Sequence, residues 1–246
     1  MYTSRKNEPG FQAPFGFILF FHYPLKASPP LPQRRFSLPW LGRCKAGGLQ
    51  LAPKDEVRLL MTRLRREHQA KERDEKSLRI SDRFLALDAY ERARVVLAYY
   101  PKPGEVDTGK IISKALSDGK TVLLPKIIAE GKVFEARKID SVYELSRGAY
   151  GIMEPPAGAE NIPFEKIDIV IVPGVAFDRH GNRVGHGKGY YDEALKKMNG
   201  ARKVALAFDF QIIDGGIPAE AHDIKVDEII TESRRINAKG RMNREG

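Results

Sequence analysis

The sequence predicts a three-layer α/β/α fold with a mostly parallel central sheet, preceded by a Pro-rich extension without regular structure. Three observations lead to this prediction. From residue 54 onwards, short apolar runs rich in Val, Ile and Leu alternate with helical patterns, which is typical of a parallel sheet covered on both faces. Residues 1–53 contain eight of the 16 prolines and show neither a helical nor a strand period. The hydrophobic share of 42% is enough for a substantial core.

We therefore expect two parts: an extension over residues 1–53, and a single α/β domain over residues 54–246. The extension has seven basic residues and one acidic residue, and its prolines oppose regular hydrogen-bonded ladders. Three origins stay open for it: a targeting peptide, translated sequence upstream of the true start, or a disordered arm.

Composition excludes several classes of function. The extension accounts for +6 of the formal net charge of +10, so the remainder is only mildly basic and does not require nucleic acid as a partner. The single cysteine, Cys44, rules out an internal disulfide and fits a reducing compartment. No apolar run is long enough to span a bilayer. The five histidines are scattered without the spacing of a zinc site, and no nucleophile-elbow motif is present.

The predicted elements follow in chain order. Residues 54–78 form a long charged helix without Gly or Pro, and Ser81 with Asp82 caps a second helix that continues to about residue 91. Thr108 is the N-cap of a helix over residues 109–117, which Gly119 ends. A further helix covers residues 190–198. Strands are predicted at residues 94–100, 121–124, 133–137, 167–172, 203–208 and 228–231.

The most informative stretch is residues 173–189, directly before the helix that begins at residue 190. Three alternate glycines, Gly185, Gly187 and Gly189, surround His186 and Lys188, and Arg183 lies just upstream. Glycines let the backbone present several N–H groups to one anion, and the following helix adds its own free N–H groups and positive dipole end. The stretch therefore predicts a phosphate-binding loop, and the alternative is a flexible connection with a solvated lysine.

Two aspartates are candidate magnesium ligands. Asp192 falls in the first turn of the helix behind the loop, where a carboxylate also stabilises the helix dipole. Mg²⁺ takes few carboxylates and shares phosphate oxygens, so a second acid is needed, and Asp227 before the last strand is a candidate. A turn or surface role for Asp227 is an equally good interpretation of the spacing alone.

Other charged residues lie at strand ends, where open α/β sheets bind their ligands. Glu105 and Asp107 share one face if their segment is extended. Asp107 suits a helix-capping turn, whereas Glu105 suits it less and is the better ligand contact. Lys126 opens onto the same rim if the strands are parallel, and is otherwise a surface charge. Lys54 and Arg58 repel each other at i, i+4 unless they hold an anion or lie on a solvated face.

These motifs together resemble the 5-formyltetrahydrofolate cyclo-ligase family, also called 5,10-methenyltetrahydrofolate synthetases. The signature that carries the resemblance occupies residues 172–178 and 181–192, and supporting matches lie at residues 54–58, 104–108, 124–126, 150–155 and 225–228. The similarity covers residues 54 to about 232. Val57 stands where leucine is usual, and His186 occupies a position that varies.

The resemblance implies ATP- and Mg²⁺-dependent cyclisation of 5-formyltetrahydrofolate to 5,10-methenyltetrahydrofolate, with release of ADP and phosphate. In the family, the formyl oxygen attacks the γ-phosphate of ATP to give an imidate phosphate. N10 of the folate then closes on the activated carbon and phosphate leaves.

The resemblance also implies roles for individual residues. Lys188 and Arg183 would be catalytic, and Asp192 and Asp227 would bind Mg²⁺. ATP would contact Lys54, Arg58, Arg183, Val184, Gly185, His186, Gly187, Lys188, Gly189, Tyr190 and Tyr191. The folate would contact Arg58, Glu105, Lys126, Tyr150, Ile152, His186, Gly187, Lys188, Gly189 and Tyr190.

We further expect a cytoplasmic monomer acting on small molecules, with organellar import if the extension is a targeting peptide. Two other functions are compatible with this fold. Some relatives of this fold act as RNA-binding or regulatory proteins, but that predicts loss of the loop or its acids. A sibling phosphotransfer enzyme with another acceptor is disfavoured by Glu105 and by the match at residues 151–155.

Overall fold

A computed structural model describes residues 53–128, 133–148, 151–187, 189–220 and 222–238. The predicted extension, Tyr150 and Lys188 lie outside the described residues. The five described α-helices are α1 (Lys54–Glu67), α2 (Ala70–Leu85), α3 (Asp88–Arg92), α4 (Gly109–Ser117) and α5 (Tyr190–Lys197). None of them is both long enough and apolar enough to cross a bilayer.

The predicted central sheet is confirmed. Its strands are β1 (Val95–Leu97), β2 (Thr121–Ile128), β3 (Val133–Ile139), β6 (Ile169–Val172), β9 (Arg202–Leu206), β11 (Glu228–Ile230) and β12 (Arg235–Asn237), and the short strands β4 (Ser146–Arg147) and β5 (Met153–Glu154) pair separately. The spatial order is β12-β11-β9-β6-β1-β2-β3. The inner strands β11, β9, β6, β1 and β2 run parallel, and the edge strands β3 and β12 are antiparallel to their neighbours.

Side chains alternate between the two faces of each strand, and helices pack on both faces of the sheet. Ile169 and Ile171 of β6 pack with α2, α3 and α4, whereas Val170 and Val172 face α5 on the opposite side. Because successive side chains of a strand point to opposite faces, a strand buried on both faces is apolar at every position. This is the physical reason that β6 reads as a continuous apolar run, and it gives the predicted three layers.

Two strands of a second, smaller sheet lie inside the stretch of residues 173–189 that the sequence suggested was one long loop. Strands β7 (Ala176–Asp178), β8 (Arg183–Val184) and β10 (Ile212–Ile213) form this sheet in the order β10-β7-β8. The Asp178 carboxylate closes the β7–β8 turn by accepting the main-chain N–H groups of His180 and Asn182, each at 2.9 Å. The irregular part of this stretch therefore begins only at Gly185.

The predicted helix boundaries between residues 54 and 91 are wrong. The first helix ends at Glu67 because His68 has extended backbone and packs its ring against Phe208 and Phe210, with centroids 4.7 and 5.3 Å away. Ser81 does not cap a helix. It lies buried inside α2 and its hydroxyl donates to the carbonyl of Asp107 at 3.4 Å. A tertiary contact in each case overrides the local signal.

Candidate functional site

A cavity of about 630 Å³ opens at the carboxyl ends of β6, β1 and β2, where open α/β sheets bind ligands. Helix α1 contributes Lys54 and Arg58 to its wall, and the loop before α5 contributes a second side. Its described lining residues are Lys54, Arg58, Tyr99, Tyr100, Lys102, Glu105, Pro125, Ile127, Phe134, Ile152, Pro173, Arg183, Gly185, His186, Gly187, Gly189, Tyr190, Tyr191, Asp192, Glu220, His222 and Asp223.

The glycine loop has the backbone conformation that its sequence predicts. Gly187 and Gly189 have φ angles of 85° and 73°, in the left-handed region that favours glycine. Gly189 is the N-cap of α5 and offers no side chain to that helix end, and the positive end of the α5 dipole points towards this loop. Arg58 anchors the loop, because its Nε donates to the carbonyl of Gly185 at 3.0 Å.

A buried ion pair connects the second sheet to α5. Nη2 of Arg183 lies 2.7 Å from Oδ1 of Asp192, and Nη1 of Arg183 donates to the carbonyl of Pro173 at 3.3 Å. Arg183 is only 8% exposed although it lines the cavity. A guanidinium that is desolvated and fixed on two sides attracts an anion more strongly than a solvated one.

Lys54 at the first turn of α1 is held by two acids from the segment before β11. Its Nζ lies 2.7 Å from Oε1 of Glu220 and 2.8 Å from Oδ2 of Asp223. Burial acts to lower the pKa of Lys54, but the two carboxylates outweigh it and the net pKa is raised. For Asp223, burial acts to raise the pKa, and the Glu220 N–H together with Lys54 brings it below the usual value.

Glu105 is the buried carboxylate at the other end of the cavity. Its Oε2 accepts the main-chain N–H of Lys102 at 3.0 Å, and its Oε1 lies 3.5 Å from Nε2 of His186. Burial alone would raise the pKa of Glu105, but the contacts with His186 and Lys102 and the charge of Arg65 lower it. This side chain is therefore an ionised acceptor inside a mainly apolar wall.

Apolar and aromatic side chains form the part of the cavity around Glu105. Tyr191 packs on Phe134 with ring centroids 5.1 Å apart, and burial raises the pKa of the Tyr191 hydroxyl. The other side chains of this wall are Tyr99, Tyr100, Pro125, Ile127 and Ile152. Such a surface accepts a flat ring system, and Glu105 supplies one fixed hydrogen-bond acceptor within it.

Several predicted site residues do not reach the cavity. Pro125 and Ile127 of β2 line it, so the intervening Lys126 points to the other face, where its Nζ donates to the carbonyl of Pro155 at 3.0 Å. Val184 is fully buried in a cluster with α1. Asp107 does not share a face with Glu105, since it is exposed and accepts the N–H of Gly109 at 2.7 Å.

Asp227 is also absent from the cavity. It lies at the amino end of β11, and its Oδ2 accepts the main-chain N–H of Lys203 at the start of β9, at 2.9 Å. The cavity lies at the carboxyl ends of the strands, so the predicted pair of Asp192 and Asp227 is not brought together. Asp223 takes that place, because the N–H of the next residue, Ile224, approaches Oδ1 of Asp192 at 3.5 Å.

Sequence reasoning missed Glu220, His222 and Asp223, although three ionisable residues within four positions were a usable signal. It missed the aromatic wall because Tyr99 and Phe134 look like ordinary strand residues. Among the described residues, no group of three or more His, Cys, Asp or Glu side chains converges as a ready-made metal centre.

The fold and the cavity define an open-sheet α/β protein whose candidate site combines a glycine-rich loop and basic side chains with an aromatic wall. The chain belongs to the 5-formyltetrahydrofolate cyclo-ligase family, whose model matches residues 50–232. The sequence-based resemblance and the assignment to the cyclo-ligases are thereby confirmed.

Relatives support this membership. The chain is 31% identical over 174 residues to the 5-formyltetrahydrofolate cyclo-ligase of Mus musculus, covering 66% of this chain and 85% of the mouse protein. The solution structure of 5,10-methenyltetrahydrofolate synthetase from Aquifex aeolicus has a TM-score of 0.69 at 34% identity, covering 78% and 96% of the two chains. A synthetase from Mycoplasma pneumoniae, with a TM-score of 0.61 at 21% identity over 74% and 99%, shares the fold.

Proposed function

We propose that this chain converts 5-formyltetrahydrofolate into 5,10-methenyltetrahydrofolate, using ATP as co-substrate and Mg²⁺ as cofactor and releasing ADP and phosphate. One observation carries the proposal. The cavity combines a cationic, glycine-lined part suited to a triphosphate with an aromatic part suited to a pterin, and His186 of the loop reaches Glu105 of the aromatic part. A phosphoryl donor and a folate bound there would meet beside the loop.

The cationic part suits ATP. Lys54 and Arg58 come from α1, Arg183 from β8, and main-chain N–H groups from the start of α5. A triphosphate would gain charge-assisted hydrogen bonds from three cations and from the helix end. Lys188, whose position in the chain is between Gly187 and Gly189, is proposed to stabilise charge on the transferring phosphoryl group.

The donor set near this part fits one Mg²⁺ ion. Asp192 and Asp223 both line the cavity, and the N–H of Ile224, the residue after Asp223, approaches the Asp192 carboxylate. Mg²⁺ bound to a nucleotide characteristically uses one or two carboxylates, phosphate oxygens and waters. We propose Asp192 and Asp223 as its protein ligands, in place of Asp192 and Asp227. When bound, the ion supplies charge neutralisation to the phosphate oxygens.

The aromatic part suits the folate. Glu105 would accept hydrogen bonds from N–H groups of the pterin, and Ile152 would pack against the ring. Tyr150 is proposed to complete this wall. A buried carboxylate of this kind discriminates strongly between ligands, because a ligand that lacks the matching hydrogen-bond donor leaves the carboxylate buried without a partner.

The proposed reaction needs positioning more than a protein nucleophile. The formyl oxygen attacks the γ-phosphorus and ADP departs, which converts a poor leaving group into an imidate phosphate. N10 then bonds to the activated carbon, loses its proton, and inorganic phosphate departs as the C–O bond breaks. Arg183 and Lys188 would stabilise the negative charge that is transferred, and the rigid wall would hold the formyl group in line.

The decisive test follows methenyl product by its absorbance from purified protein, 5-formyltetrahydrofolate and ATP. We expect product only when ATP and Mg²⁺ are both present, with one ADP formed for each methenyl product. The variant Arg183→Met, which removes the buried cation, is assayed beside the native protein. Product formation without ATP, or ATP hydrolysis without any product, would refute the proposal.

We also propose that residues 54–246 work as one catalytic unit, that the protein is a monomer in the cytoplasm, and that residues 1–53 are dispensable for catalysis. An Arabidopsis thaliana relative, 34% identical over 152 residues, is named a mitochondrial cyclo-ligase, so organellar import directed by the extension is the alternative. Microscopy of the full chain and of a chain without residues 1–53, each fused to a fluorescent protein, distinguishes the two.

A further inference from the structure

Arg65 near the end of α1 is a half-buried cation that the proposed chemistry does not use. Its Nη2 donates to the carbonyl of Gly174 at 2.9 Å, while its Nε is sealed from solvent and has no hydrogen-bond partner among the described residues. It forms no salt bridge with any carboxylate in the part of the chain that the structure describes. Burying a guanidinium in this way costs free energy, so the position calls for an explanation.

Glu105 is the carboxylate whose charge acts on Arg65 and helps to keep the guanidinium protonated. Arg65 and Glu105 border the same small recess, together with Tyr99 and Gly174. The stem of Arg65 also supports the turn that carries Glu105, because a Cβ built on Gly104 would lie 3.6 Å from Cβ of Arg65. Glu105 thus borders both this recess and the main cavity, whereas Arg65 borders only the recess among these two spaces.

We infer that Arg65 is a positioning residue for folate recognition, which holds the Glu105 carboxylate in place and charged from the side of this recess while its oxygens face the ligand. The inference rests on the proposed function, because it needs Glu105 to bind the folate. It assigns to α1 a second task besides contributing Lys54 and Arg58 to the cavity.

The electrostatics around Glu105 support this role. Burial works to raise the pKa of Glu105, and the groups that oppose it are His186, the backbone N–H and the charge of Lys102, and the charge of Arg65. His186 belongs to the glycine loop, and Lys102 belongs to the same turn as Glu105. Arg65 differs from both because it comes from α1, a helix packed against that turn. Tyr99 and Tyr191 are the remaining titratable neighbours, and the charge of Glu105 helps to raise the pKa of each hydroxyl.

The sign of the expected pH effect follows directly. A carboxylate with a lowered pKa stays an acceptor as the pH falls, until the lowered value is reached. Without Arg65 the pKa of Glu105 rises, so folate binding should fail at a higher pH than in the native protein. A merely structural arginine would not shift this profile.

The experiment measures steady-state kinetics of the full chain from about pH 5 to pH 8, with Arg65→Met, Arg65→Lys and, as an exposed control on the same helix, Arg66→Met. For Arg65→Met we expect KM for 5-formyltetrahydrofolate to rise about tenfold or more, kcat and nucleotide affinity to change by less than about twofold, and the acidic rise in KM to move to higher pH. Arg65→Lys should restore part of the loss, and Arg66→Met should change nothing.

A double-mutant cycle with Glu105→Gln separates the possible failures. If Arg65 acts through Glu105, Arg65→Met should add little to Glu105→Gln. An unchanged KM in Glu105→Gln would overturn the proposed folate site itself. A raised KM in Glu105→Gln with a normal KM and pH profile in Arg65→Met would overturn only the role of Arg65. Should Arg65→Met fail to fold, Arg65→Lys decides by the same profile, and parallel losses of folate and nucleotide affinity would also overturn the inference.

Discussion

Lys54 and Asp223 are joined by an ion pair of 2.8 Å between the first turn of α1 and the segment before β11. The cation proposed for the nucleotide phosphates and the carboxylate proposed for Mg²⁺ thus neutralise each other in this structure. A magnesium nucleotide would offer each of them a new partner, phosphate for Lys54 and metal for Asp223. The attraction within the pair offsets part of the free energy that is lost when the two charges leave water, and both side chains line one cavity.

The first prediction compares two aspartates that are four positions apart. Asp223→Asn should raise the Mg²⁺ concentration needed for half-maximal activity by about tenfold or more, because the metal loses a charged ligand. Asp227→Asn should leave that requirement unchanged and lower the melting temperature, since Asp227 is buried and accepts the Lys203 N–H. Magnesium titrations and thermal melts measure both effects.

Nucleotide binding by calorimetry, with and without Mg²⁺, provides a readout that does not depend on turnover. In Asp223→Asn the gain in nucleotide affinity on adding Mg²⁺ should shrink, and in Asp227→Asn it should persist. The reverse pattern would restore Asp227 as the ligand and exclude Asp223.

The second prediction concerns Lys188, which lies outside the described residues. Lys188→Ala should lower kcat by about 10²- to 10³-fold, because a charge that stabilises the transferring phosphoryl group acts mainly in the transition state. Lys196→Ala on the exposed face of α5 is the matched control, since it removes an equal charge that pairs only with Glu193 among the described residues. Near-normal turnover in Lys188→Ala would remove this lysine from the chemistry.

The sequence was sufficient for the features that depend on local pattern. The apolar run of β6 predicts a strand buried on both faces, and the fold confirms it. The glycines before α5 carry a local signal too, since Gly187 and Gly189 have positive φ angles, while phosphate binding by their loop stays a prediction. The sequence was not sufficient where two distant segments decide the outcome. The end of α1 depends on His68 meeting Phe208 and Phe210, which are about 140 positions away in the chain.

The predicted site residues also fall into two groups, those that line the cavity and those that do not. Glu105 and Arg183 both line the cavity, as expected for Glu105 from its place after a strand and for Arg183 from its place just upstream of the glycines. Asp227 does not, because a residue before a parallel strand lies at the opposite edge of the sheet from a residue after one. Lys126 does not, because strand register decides which face a side chain takes, and one position changes the face.

The third prediction concerns the domain boundary. A chain lacking residues 1–50 should keep its activity and melting temperature, because the family match begins at residue 50 and the first described helix begins at Lys54. Activity assays and thermal melts of the truncated and full chains measure this. A large drop in either would show that the extension contributes to the catalytic unit.

The final prediction tests strand register in β2 with two neighbouring residues. Ile127 lines the cavity, so Ile127→Ala should raise KM for 5-formyltetrahydrofolate severalfold, since it removes apolar contact worth about 1 kcal/mol or more. Lys126 faces away, with its Nζ 3.7 Å from the buried carboxylate of Glu154. Lys126→Met should therefore leave KM within about twofold and instead reduce stability by about 1–3 kcal/mol, because Glu154 loses its counter-charge. Kinetics and denaturant unfolding separate these outcomes. A larger KM effect at Lys126 than at Ile127 would mean that the strand presents its other face to the folate.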